Sequence, residues 1–219
     1  MNDSFAIESF DAGMTAPPFK VVLINPYELG RQSFNLAAPT ALLKAVGCEV
    51  ACLDLTLEKL EPEILRDADL VAIHLGMHTA TRIAIAALPK ICELAPANTH
   101  LAMYGLYASM NADHLRGLGV HSLLGGEFEP ELVALVERLR DGDISPQTSP
   151  MVQLAKVNFL PPDRSGLPLL TRYAHLILPE GDTKVVGFTE STRGCKHLCR
   201  HCPVVPVYEG KFRTVQVDV

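Results

Sequence analysis

The chain has 219 residues, 48% of them hydrophobic, and a formal net charge of −6; this is enough for one full domain and part of a second, and too apolar for disorder throughout. The acidic balance, without a basic run, excludes a general nucleic-acid binder, and no apolar run is long enough to cross a bilayer. Residues 1–15 have neither a basic n-region nor an apolar h-region, so no secretory signal is read there and the cytoplasm is the expected location.

Residues 1–18 read as a flexible arm ending at Pro17-Pro18. A β-branched run, 20–24, predicts a first strand, stopped by the turn signal Asn25-Pro26. A short helix over 38–46 follows, then a strand over 49–53 and a short helix over 62–66. Residues 70–73 predict a buried strand, and 79–94 a helix with Pro89 as a kink. A strand over 100–104 closes at Gly105, a helix over 109–116 stops at Gly117, and a fifth strand over 120–124 ends at Gly125-Gly126. Phe128, Leu132, Leu135, Val136 and Leu139 then fall on one face of a 3.6-residue period. Strands alternating with helices predict a parallel sheet covered on both faces, and the unbroken apolar strands agree. The expected α/β domain covers 19–142, with five parallel strands in the order 2-1-3-4-5. Residues 143–168 read as a linker. In 169–219 an apolar strand over 184–188, able to pair with 174–178 as a hairpin, leads into a cysteine-rich string.

The six cysteines divide into two groups. Cys48, Cys52 and Cys92 lie scattered among apolar residues and read as packing. Cys195, Cys199 and Cys202 lie in Arg193-Gly194-Cys195-Lys196-His197-Leu198-Cys199-Arg200-His201-Cys202-Pro203. Three thiolates at C-x3-C-x2-C spacing on one loop can hold three corners of a cubane iron–sulfur cluster, leaving one iron free for a small chelator. Zinc, with His197 or His201 as fourth ligand, is the alternative chemistry, although structural zinc sites usually pair two separated ligand couples. Upstream, small and polar residues recur at strand ends: Asn25, Pro26 and Tyr27; Gly76, His78 and Thr79; Gly105 and Tyr107; Gly126 and Glu127. These are the candidate cofactor-binding residues, since glycines there admit close approach by a flat ligand. The G-x-G-x-x-G fingerprint is missing after the first strand, which speaks against a dinucleotide. His74 and His78 read as hydrogen-bonded strand-end residues.

The cysteine string, following a strand and Arg-Gly, resembles the radical S-adenosylmethionine enzymes; the usual aromatic residue between the second and third cysteines is replaced by His201. The resemblance implies a 4Fe–4S cluster on Cys195, Cys199 and Cys202, with S-adenosylmethionine chelating the fourth iron. The order of α/β domain, linker and radical motif resembles the cobalamin-binding branch, whose N-terminal domain is Rossmann-like. It implies cobalamin as a further cofactor and radical methyl transfer or rearrangement as the reaction. The run from Asn25-Pro26-Tyr27 through Cys202-Pro203-Val204-Val205-Pro206-Val207-Tyr208 is similar to a subgroup named for a C-terminal Cys/Sec-Cys-Ala-Glu-Pro tail, which this chain lacks. The D-x-H-x-x-G motif that supplies a histidine to cobalt in other cobalamin domains is also absent, so no protein imidazole is expected on the metal.

The family implies a small-molecule substrate, which the sequence does not identify, and an electron donor such as flavodoxin or ferredoxin. Only 204–219 follow the cysteine string, so the chain is expected to hold a truncated start of the radical domain and to be inactive alone. The alternative is a non-catalytic corrinoid-binding module with an inert or zinc-binding cysteine tail.

Overall fold

A computed structural model describes residues 17–145 and 151–219. The sheet is parallel and begins with β1 (Lys20–Asn25), β2 (Glu49–Asp54), β3 (Leu70–His74), β4 (His100–Tyr104) and β5 (Ser122–Gly126). Their order is 2-1-3-4-5, as expected, but a sixth strand, β6 (Met151–Gln153), extends the sheet beyond β5. Leu124 pairs with Met151 and Gly126 with Gln153. Five strands thus become six, and part of the expected linker belongs to the sheet. Three residues are too few to show a period, which is why the sequence conceals β6. Gly126 makes room for it: φ is +69°, and a Cβ there would run into the Gln153 carbonyl oxygen, so only glycine serves.

The two faces of the sheet bury separate cores. On one, Val22, Ile24, Val71, Ile73 and Met103 pack against Leu88 and Ile91 of α3 (His78–Leu94) and Leu115 of α5 (Ala112–Gly117). On the other, Val21, Leu23, Leu70, Ala72 and Tyr104 meet α1 (Phe34–Ala45) and α6 (Glu129–Arg140) through Leu36, Leu43, Leu132 and Val136. Successive side chains on a strand point to opposite faces, so a sheet covered on both sides buries every position; β3 is buried along its whole length.

Helix α1 starts at Phe34, four residues before the sequence signal, because Phe34–Ala37 are themselves core. Pro39 sits inside it and has no N–H to give the Asn35 carbonyl. The Tyr104 hydroxyl, from the middle of the sheet, donates to that carbonyl at 2.8 Å. The single helix expected over 109–116 is two, α4 (Leu106–Met110) and α5, joined at Asn111, whose side-chain amide donates to the Tyr107 carbonyl at 2.7 Å. Helix α2 is the single turn Pro62–Leu65.

Beyond β6 the chain folds back over the domain. The hairpin β7 (His175–Ile177) and β8 (Thr183–Val185) forms as the sequence suggests. The strand entering the cysteine loop is a different one: β9 (Thr192–Gly194) pairs antiparallel with β10 (Phe212–Thr214). Val185 and Val186 are exposed, and their apolar signal belongs to this hairpin and its exit, not to the strand that enters the cysteine loop. The segment docks through Arg164, which donates to Gln32 at 2.8 Å and to the Phe188 carbonyl at 2.6 Å. Arg213 adds a bond from Nε to the Leu154 carbonyl at 2.8 Å. Phe159 and Val157 close a small cluster on Phe34 and Ala38. Among the described residues no helix is long and apolar enough to cross a membrane.

Candidate functional site at the carboxyl edge of the sheet

Parallel strands place the loops that follow them at one edge, the usual ligand position in open α/β sheets. Here that edge holds a cavity of about 270 Å³. Its floor is Glu28, His74, Gly76, Gly105, Gly126 and Phe128; its cover is Glu190, Thr192, Arg193, Gly194 and Tyr208. Apart from Glu190, the cover comes from β9 and α7 (Val205–Tyr208), the elements flanking the cysteine loop. The cavity therefore lies between the α/β domain and the segment with the three cysteines.

Arg193 fastens the two together. It is buried, and its two terminal nitrogens reach the two oxygens of Glu129 at 2.7 and 2.6 Å. Its Nε donates to Glu190 at 2.9 Å, and Glu127 lies 3.6 Å away. The guanidinium also lies over the rings of Phe128 and Phe159 at 5.0 and 5.1 Å. Burial opposes its charge, yet Glu129, Glu190 and Glu127 outweigh burial and hold Arg193 above its ordinary value. Glu127 is pushed up by its own burial despite Arg193, and it accepts the Tyr208 hydroxyl at 2.9 Å.

The second buried polar pair is Glu28 and His74. Its Nδ1 and Glu28 Oε2 are 3.6 Å apart, and neither atom has a hydrogen-bond partner among the described residues. The His74 ring packs on Tyr104 at 5.3 Å and on Phe128 at 6.3 Å. Burial, followed by the positive charge of Arg193, brings His74 down to about 3, so it is neutral at ordinary pH. Burial, followed by the Glu190 carboxylate, raises Glu28 to about 7.

The raised value makes Glu28 a determinant of stability against pH. A carboxyl raised in the folded state contributes stability that is complete below its unfolded value near 4.5 and is lost as pH rises through about 7. His74 works the other way, losing its contribution as pH falls from 6.5 toward 3. Glu28→Gln removes only the first effect. The variant is expected to be more stable than the unsubstituted chain by about 3 kcal/mol at pH 8 and equal to it near pH 4.5. Urea unfolding at both values checks this, and a constant difference would contradict it.

Of the residues read from the sequence as cofactor-binding, Gly76, Gly105 and Gly126 line the cavity. The others stand outside the lining. Asn25 is buried and donates to Asp54 at 3.1 Å; Pro26 is buried and Tyr27 half-buried. His78 and Thr79 are exposed at the start of α3, and Tyr107 is half-buried. Glu127 is engaged by Tyr208 and Arg193. The charged and imidazole groups of the cavity that sequence reasoning missed are Glu28, His74, Glu190 and Arg193. A single polar residue ending an otherwise apolar buried strand marks His74 in retrospect; nothing local marks Glu28 or Glu190.

Cys195 and Cys202 are half-buried, Cys199 is exposed, and all three are free thiols. They share one loop held at its two ends by β9 and α7. Among the described residues they do not gather into a metal-binding group. By donor chemistry they suit a thiolate-bound cluster, being three sulfurs without disulfide partners. The cavity is smaller than the roughly 300–1,000 Å³ of drug-sized pockets.

No family model matches the chain, and no curated protein matches it. A solved structure from Kitasatospora setae, the radical S-adenosylmethionine methyltransferase TsrM with cobalamin and a [4Fe-4S] cluster bound, shares its fold. The TM-score is 0.63 at 16% identity, and the match covers 92% of this chain and 44% of that one. The chain thus spans less than half the length of that neighbour. The fold is Rossmann-like α/β, with a central parallel sheet of six strands between helices.

Proposed function

We propose that the chain is the N-terminal part of a cobalamin-dependent radical S-adenosylmethionine enzyme, its α/β domain seating the corrinoid and its cysteine loop the cluster. One observation carries this reading: the cavity at the carboxyl edge is covered by the strand that runs directly into Cys195. A ligand at that edge would then lie beside the cysteine loop.

Cys195, Cys199 and Cys202 would hold a 4Fe–4S cluster with three thiolates, leaving one iron for the amino and carboxylate groups of S-adenosylmethionine. Bound in this chain, the two cofactors would supply one-electron reduction of a sulfonium and a carrier for a methyl group. The chain's own contribution is placement. Gly76, Gly105 and Gly126 would offer backbone to part of the corrinoid, and Arg193 keeps the cysteine segment over them. An external electron donor of the flavodoxin or ferredoxin kind would serve the cluster. Methyl transfer, in keeping with the neighbour's description, is the reaction class we assign.

Titration of the full chain with hydroxocobalamin tests the corrinoid half. Saturable binding, with a change in the corrin visible spectrum, is expected. Absence of binding at any accessible concentration would contradict it.

A further inference from the structure

The loop glycines explain how His74 meets the cavity. A Cβ at Gly76 would lie 2.7 Å from His74 Cε1 and 3.2 Å from Nε2. A Cβ at Gly105, where φ is +104°, would lie 3.0 Å from Cδ2 and 3.1 Å from Nε2. Real Cβ atoms at both positions would close over the Nε2 edge of the imidazole, so the two glycines frame it like a window. At the opposite edge, Nδ1 faces Glu28 Oε2, both atoms lacking a partner. A buried polar atom left unpaired is unfavourable, and closing the 3.6 Å gap by about half an ångström would give a hydrogen bond.

We propose that the Glu28–His74 pair, opening between Gly76 and Gly105, is a hydrogen-bonding subsite for a primary carboxamide group of the ligand held in the cavity. The inference rests on the corrinoid reading, since the rim of cobalamin carries such amides. His74 is recessed, only 3% exposed, so Nε2 is reached only between the two glycines, where a small side group can enter. The Arg193 charge already disfavours a positive imidazole, and it disfavours an ammonium group at the same place.

Glu28 sets the sense of the subsite. With the gap closed, a Glu28 carboxylate would accept Nδ1–H, leaving a lone pair on Nε2, and a neutral Glu28 would donate to Nδ1, so that Nε2 carries the hydrogen. A carboxamide, with N–H donors and a carbonyl acceptor, pairs with either form. A carboxylate in its place pairs only with the second. The charged groups acting on Glu28 are Glu190, Arg31 and Asp54, and Arg193 acts on His74; Glu28 changes form near pH 7.

The test compares cyanocobalamin with its b-, d- and e-monocarboxylic acids, in each of which one propionamide has become a carboxylate. Binding to the full chain is measured at pH 6 and pH 8, and repeated with Glu28→Gln. One of the acids is expected to bind about ten-fold more weakly than cyanocobalamin at pH 8 and within about two-fold at pH 6, consistent with one hydrogen bond gained or lost. In Glu28→Gln that dependence on pH should vanish. If cyanocobalamin binds but every acid keeps the same ratio at both pH values, the subsite is wrong and the corrinoid reading stands. If neither cyanocobalamin nor any acid binds, both fall.

Discussion

Arg193→Met is expected to release the cysteine segment from the α/β domain at a cost of about 3–5 kcal/mol, the usual penalty for breaking a buried ion pair from one side. Methionine keeps much of the arginine stem against Phe128 and Phe159 but leaves Glu129, fully buried, and Glu127, 1% exposed, without their cation. The loss should concentrate at β9 and β10, because Thr192–Gly194 holds its place through Arg193. Amide hydrogen exchange would report it: protection at β9 and β10 falls while β1, β3 and β4 keep theirs. A double substitution, Arg193→Met with Glu129→Met, should recover part of the loss, since one stranded carboxylate is gone. Unchanged protection in Arg193→Met would mean that the aromatic contacts alone hold the segment.

Cys199→Ala is expected to abolish incorporation of iron and sulfide with little effect on folding. The residue is exposed and takes no part in either core, so truncating it falls within the small changes typical of surface positions. A cubane with two protein thiolates in place of three loses a corner ligand, and an imidazole of the loop, His197 or His201, is a poor substitute for a thiolate on such a cluster. Cys92→Ala is the control: Cys92 is also an exposed thiol, on α3 and far along the chain from the loop, and it should load like the unsubstituted chain. Iron retained by Cys199→Ala would remove that residue from the ligand set.

Much of the sheet was legible because its strands are apolar runs punctuated by Gly, Pro and Asn. Strands β1 to β5 and helix α6 follow directly from that pattern. Strand β6 escaped because its three residues pair only once the Gly126 backbone yields space. Strand β9 escaped because Thr-Arg-Gly has no apolar signature at all; it forms where Arg193 finds three carboxylates contributed by β5–α6 and by Glu190. The apolar residues at 185 and 186 pointed to the wrong strand before the cysteines, since hydrophobicity alone does not distinguish an exposed hairpin from a buried strand.

The site divides in the same way. Three cysteines on one loop are a local string and can be read without a fold. The Glu28–His74 pair joins residues 46 positions apart and exists only after β1 and β3 lie side by side. Their unusual proton affinities are consequences of burial, which no local pattern encodes. Gly76 and Gly105 were read as places for a ligand to approach, and they do line the cavity; the structure adds that the missing side chains also make room for His74.

The most direct measurement is the iron and acid-labile sulfide content of the full chain after anaerobic reconstitution, taken together with its visible spectrum. The proposed function requires the iron and sulfide of one 4Fe–4S cluster per chain and thiolate-to-iron absorption. A chain that retains no iron, or that binds zinc without sulfide, would contradict it.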